Sequence, residues 1–163
     1  MIFFILTFIV FILEYLFNFL LSGTIFLPLM LLILVVLAEP FFDRTKSYYY
    51  IYSFIVGFFY DFLYTGNYFM NASIFVFASI LISLLNSNMP NNIFVSVFEG
   101  IIMIIFYRIL TFLFFYINGF APFNLNLIFK SIYSSFIFNL IYLVIMYYIL
   151  YFLSKRFNLN RID

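Results

Sequence analysis

The sequence predicts an all-α integral membrane protein, a single polytopic domain over residues 1–163 built as a bundle of about six transmembrane helices. Three observations predict it. Of 163 residues, 68% are hydrophobic and only 8% charged, against about 25% charged in a typical soluble domain. So few charges cannot cover a water-facing surface, and the mean hydropathy of +1.23 agrees. The apolar residues fall into six runs separated by short breaks of Gly, Pro, Asn and Ser. The Lys and Arg of the breaks and the tail fall on one side of a chain that alternates direction, which is the pattern that orients a multi-pass chain.

The runs are taken in order. Residues 2–21 are long enough to span a bilayer; with no basic leading stretch and no small-residue cleavage site after it, this run reads as a retained helix. Residues 25–38 form a shorter run, about 21 Å as a helix, with Pro28 in its expected first turn. Such a helix either thins the bilayer or is shielded by neighbours. Pro40 ends it, and "EPFFDRTKS" at 39–47 is the first charged loop. Residues 48–64 follow, opened by Tyr48, Tyr49 and Tyr50, which stand for the interfacial aromatic belt in a chain with no Trp. Residues 71–85, 93–118 and 127–153 complete the set, linked through "NSNMPNN" at 86–92 and "GFAPFNLN" at 119–126. With the N-terminus inside, the inner loops and tail hold Arg44, Lys46, Lys155, Arg156 and Arg161. The outer links hold no Lys or Arg, and Lys130 sits near the outer interface. Both termini are therefore expected in the cytoplasm.

With no Cys and no His, thiol, disulfide, imidazole and Cys/His metal chemistry are excluded. No nucleophile–base pair or phosphate loop appears, so no enzyme, no metal and no cofactor is expected. A net charge of +1 gives no basis for nucleic-acid binding. Membrane lipid is the expected surrounding partner.

Charges inside spans are costly, roughly 2.5–3.5 kcal/mol each at the bilayer centre. Glu14, Asp61 and Arg108 lie about 18, 20 and 22 Å from the inner ends of their spans at 1.5 Å per residue. The matching heights predict a buried cluster in which Arg108 pairs with Asp61, Glu14 or both, because a guanidinium offers five donors in a fork. That cluster reads as a staple between helices, a partner-docking site or a substrate path. Glu99, nearer the inner end, is expected to snorkel or to meet Lys155 or Arg156. Gly57 shares a helix face with Asp61 and allows a close backbone approach. Gly66-Asn67 reads as the outer turn, and Asn71 as a cap for the fourth span.

The stretch "GFFYDFLYTGNYFMNA", residues 57–72, resembles the pattern of the bacterial rod shape-determining protein MreD family. That pattern has a glycine, an aspartate four residues on beside a bulky pair, a small-residue turn, and a glycine-asparagine-alanine-like opening of the next helix. Gly57, Asp61, Phe62, Leu63, Gly66, Asn71 and Ala72 match it; Phe69 or Met70 stands where a second glycine is usual. The resemblance implies a non-enzymatic inner-membrane component of the cell-elongation machinery. Its partners would be the single-span protein MreC, the peptidoglycan synthase complex and the assembly associated with MreB. It also implies a fold like the six-helix substrate-binding subunits of energy-coupling-factor vitamin transporters. A subunit of that transporter type is the alternative reading, with "GNYFMN" and "GFAPFNLN" as the mouth of a vitamin site. The aromatic surface is expected to face lipid or pack the bundle, with a minority forming a groove for a partner's transmembrane helix.

Overall fold

A computed structural model describes residues 2–21, 28–43, 47–65, 69–86, 89–90, 92–120 and 122–157. Gly66 and the cations Arg44, Lys46 and Arg161 lie outside the described residues. The described residues form six α-helices: α1 (Ile2–Leu20), α2 (Met30–Ala38), α3 (Tyr48–Tyr60), α4 (Met70–Asn86), α5 (Ile93–Ile117) and α6 (Leu125–Arg156). A 3-10 turn, Glu39–Phe41, extends α2, and a wider π-helical turn, Asp61–Thr65, extends α3. There is no strand among the described residues. Among the described residues, three helices are long and apolar enough to cross a membrane: α1, α5 and α6.

The bundle is organised around its shortest helix. All nine residues of α2 are buried, and α1, α4, α5 and α6 pack around it. A helix apolar on every side belongs inside a bundle, and α2 is that kind of sequence, MLLILVVLA. Of the two outcomes open to a short span, α2 shows shielding by neighbours. Its start differs from expectation: the helix begins at Met30, so Pro28 lies ahead of the first turn rather than within it.

α3 and α4 form the tightest pair, an antiparallel hairpin, and α5 and α6 form a second. Successive helices alternate in direction, so the chain ends of α1 and α6 lie at the same end of the bundle. The outer surface is strongly apolar, with Phe8, Phe19, Phe62, Phe94 and Phe129 all exposed. Patches of this kind on a monomer mark a surface that meets lipid or protein rather than water.

The inner end departs from the sequence expectation at two carboxylates. Glu39 is not part of a solvated loop; it is buried and accepts a 3.0 Å hydrogen bond from Asn86 Nδ2 on α4. Glu99 is buried as well, so it does not snorkel to the interface. Tyr49 is buried too, its hydroxyl donating to the Val35 carbonyl at 3.0 Å, while Tyr48 alone of that pair faces outward.

Candidate functional site: a buried polar network at two helix starts

The first turn of any helix leaves four backbone N–H groups without intrahelical partners. In water these are solvated; in an apolar interior each needs a side chain. α5 and α6 meet this need locally at exposed positions. Asn92 accepts from Val95 N at 2.9 Å, and Asn124 from Asn126 N at 2.9 Å. α2 and α4 start inside the bundle, behind Leu29 and Phe69, which have no side-chain acceptor. Their first turns are capped from other helices.

Asp61 caps α4. One carboxylate oxygen accepts from Asn71 N at 3.1 Å and from Asn71 Nδ2 at 2.7 Å; the other accepts from Ala72 N at 3.0 Å. The negative charge also sits at the positive end of the α4 dipole. The π-helical turn beginning at Asp61 is the local feature that ends α3 here; such turns recur at functional sites. Glu14 does the same for α2, its Oε2 accepting from Leu31 N at 2.8 Å. Asn139 on α6 completes that cap, accepting from Leu29 N at 2.7 Å. Asn71 is therefore not the cap of α4. It lies inside the first turn, donates to the capping carboxylate and accepts from Tyr107 Oη at 2.7 Å.

The network continues through all six helices. Tyr60 stands between Glu14 and Tyr107 and interacts with both. Arg108 donates from Nε to Ser135 Oγ at 2.6 Å, and Glu14 lies within its electrostatic reach. Asn139 Nδ2 donates back to the Ser135 carbonyl at 2.6 Å. The three charges expected at one height thus do converge on one region, but the bonds to Asp61 and Glu14 described here come from helix N-termini, and that of Arg108 goes to Ser135. Tyr60, Tyr107, Ser135 and Asn139 were not anticipated from sequence.

Gly57 sits where α3 crosses the start of α4. A Cβ there would lie 2.6 Å from Ala72 Cα, 2.7 Å from the Asn71 carbonyl oxygen and 2.9 Å from Ala72 N. This close approach brings Asp61, one turn on, within reach of the Asn71 and Ala72 amides.

Phe69, immediately before α4, has φ +61°, the left-handed region that favours glycine. A non-glycine residue there costs about 1 kcal/mol or more. Its ring touches Phe54 and Phe58 on an exposed face, where lipid replaces a lost contact at little cost. Phe69→Gly is expected to stabilise the protein by about 1 kcal/mol, measured by thermal unfolding in detergent. Glu14→Leu is expected to cost about 1–3 kcal/mol because it strands the Leu31 amide. Glu14→Gln, which keeps an acceptor, should cost clearly less in the same assay.

The fold and this site together define a class: an apolar six-helix bundle with membrane-length helices and a buried polar network at one end. Comparison with known protein families, with curated proteins and with solved structures finds no match for the chain.

Proposed function

We propose that this protein is a non-enzymatic, multi-pass component of the bacterial cytoplasmic membrane that works in the cell-elongation machinery as MreD does, docking a single-span MreC-like protein. One observation supports the reading most. The residues that carry the sequence resemblance are also the residues of one structural device: Gly57 meets Ala72, and Asp61 holds the amides of Asn71 and Ala72. The residues that match the pattern on either side of the turn therefore act together in one contact. The left-handed backbone at Phe69 points the same way, since Phe69 or Met70 stands where the family pattern has its second glycine.

The topology follows from charge and connectivity. The start of α1 and the end of α6 lie on one side, and the Lys/Arg bias that the sequence places there supports reading that side as cytoplasmic. The fold would then be of the type seen in energy-coupling-factor substrate-binding subunits.

Affinity purification of the tagged chain from its own membranes tests the proposal. Co-isolation of a single-span protein with a large extracytoplasmic part, and rounding of rod-shaped cells on depletion, are the expected results. Co-isolation of ATPase subunits, or a vitamin retained through purification, would replace this reading with the transporter-subunit one.

A further inference from the structure

Among the membrane-length helices α1 is the least enclosed. Only Thr7, Val10 and Glu14 of its described residues are buried, and its backbone packs chiefly on α2. α1 and α3 run in the same direction and stand apart, with a groove of about 610 Å³ between them. Phe4, Phe8, Ile12 and Leu16 form its rim on α1, and Phe59 and Phe62 form the other. Two hydroxyl bridges cross its floor. Thr7 Oγ1 and Tyr52 Oη share a 2.8 Å hydrogen bond, and Tyr64 Oη donates to the Phe11 carbonyl. With these hydroxyls satisfied inside the chain, the floor calls for an apolar occupant.

The shape of the groove narrows the choice. From Phe4 to Leu16 α1 rises about 18 Å. A volume of 610 Å³ over that length gives a mean section of roughly 34 Å². A helix 10–12 Å across has a section of about 80–110 Å². The groove therefore takes one row of side chains rather than a helix body, which is ridge-into-groove packing. This chain carries such a row. Phe4, Phe8, Ile12, Leu16 and Leu20 recur every four residues along α1, the spacing of a helix ridge, and all are 46–71% exposed.

We propose that the α1/α3 groove is the interface with a second copy of this chain, the α1 ridge of each copy seating in the groove of the other about a two-fold axis along the membrane normal. Such an axis keeps every residue at its own depth, so the ridge of one copy is level with the groove of the other along its whole length. Because the ridge lies on the rim of its own groove, the two insertions are reciprocal, as a two-fold interface requires. The area is sufficient. Phe4, Phe8, Tyr15, Phe19, Phe59 and Phe62 are 48–75% exposed. At about 150–250 Å² for a fully buried ring they offer on the order of 750 Å², near the roughly 800 Å² per partner of a stable interface. In lipid, association rests on packing contact, and a ridge filling this groove supplies it. The proposal does not depend on the role in cell elongation.

Cross-linking tests it, and the absence of native cysteine makes single-cysteine variants unambiguous. The full chain is reconstituted in phosphatidylcholine vesicles at high dilution and oxidised. Phe8→Cys and Tyr15→Cys, which face the axis, should form disulfide dimers. Phe129→Cys, equally exposed on α6, should not. Ile55→Trp, which fills the groove from the α3 side, should lower dimer yield in the Phe8→Cys chain at least fivefold. Phe62→Ala removes a ring that is 75% exposed and so leaves the monomer intact; it should lower the dimer fraction severalfold with an unchanged melting temperature. Single-molecule bleaching of chains labelled at the C-terminus should show two steps for the parent and mainly one for Phe62→Ala. Equal yield from Phe129→Cys, one-step bleaching of the parent, or a dimer fraction untouched by Phe62→Ala overturns the proposal. So does a monomeric chain whose groove residues cross-link only to lipid or to a single-span protein.

Discussion

Asp61→Ala is expected to be the most damaging single truncation in the chain, lowering stability by about 3–5 kcal/mol. The carboxylate accepts three hydrogen bonds, from Asn71 N, Asn71 Nδ2 and Ala72 N, in a site only 3% exposed. Alanine leaves all three donors buried, and no water reaches them to compensate. Each stranded donor costs about 1–3 kcal/mol, and losses that share one site do not add fully. Asn71 is also tied to Tyr107, so its displacement spreads to α5. Asp61→Asn separates charge from geometry. It retains an acceptor oxygen but loses the charge-assisted bonds, which are roughly twice as strong as neutral ones, and it should cost about half as much as alanine. Helicity followed through thermal unfolding in detergent measures both. An Asp61→Ala protein melting within a degree or two of the parent would remove the capping role. If the cell-shape reading holds, the same variant should fail to restore rod shape at normal membrane levels of the protein only when α4 also carries the partner surface; a stable Asp61→Asn protein is the cleaner probe of that.

The sequence makes the helical runs legible because their ends carry chemistry. Asn92 and Asn124 cap α5 and α6, and Pro40 lies just past α2, so these boundaries fall within a residue or two of expectation. The start of α2 was less legible, since "TIFLPLML" is uniformly apolar and Pro28 suits a position before a helix as well as in its first turn. The heights of Glu14, Asp61 and Arg108 could be counted from helical rise. The backbone amides that Glu14 and Asp61 hold could not, for two reasons. Height fixes nothing about which way a side chain faces round the helix. Pairing opposite charges also overlooked a competing demand, the unsatisfied amides of α2 and α4, which appears only once those helices are known to start inside the bundle. Asn139 carried a usable signal: an amide within "FIFNLIYLV" pays the same kind of penalty as a buried charge and needs a partner for the same reason. Tyr60 and Tyr107 carried none, being two among 15 tyrosines.

The other large effect expected is at Gly57, and here the pattern of failure to rescue is more informative than the loss itself. A Cβ at this position meets backbone atoms of α4 at 2.6, 2.7 and 2.9 Å. Backbone cannot rotate away, so the two helices must separate. Gly57→Ala gains about 1 kcal/mol of helix propensity but forces that separation, for a net cost of about 1–3 kcal/mol. Gly57→Val should exceed 3 kcal/mol, roughly, because a branched side chain adds to the overpacking. Ala72→Gly should rescue neither, since the collision is with Cα, N and a carbonyl oxygen that glycine keeps. Gly100 supplies the contrast. A Cβ there collides only with the Leu143 side chain on α6, so Gly100→Ala combined with Leu143→Ala should recover much of what Gly100→Ala alone loses. A separation of α3 from α4 also draws Asp61 away from the Asn71 and Ala72 amides. Gly57→Val and Asp61→Ala should therefore be strongly non-additive, the double variant being little worse than Gly57→Val alone. Full additivity of the two in unfolding measurements would mean that the close approach and the cap are independent, and that Gly57 does not position Asp61.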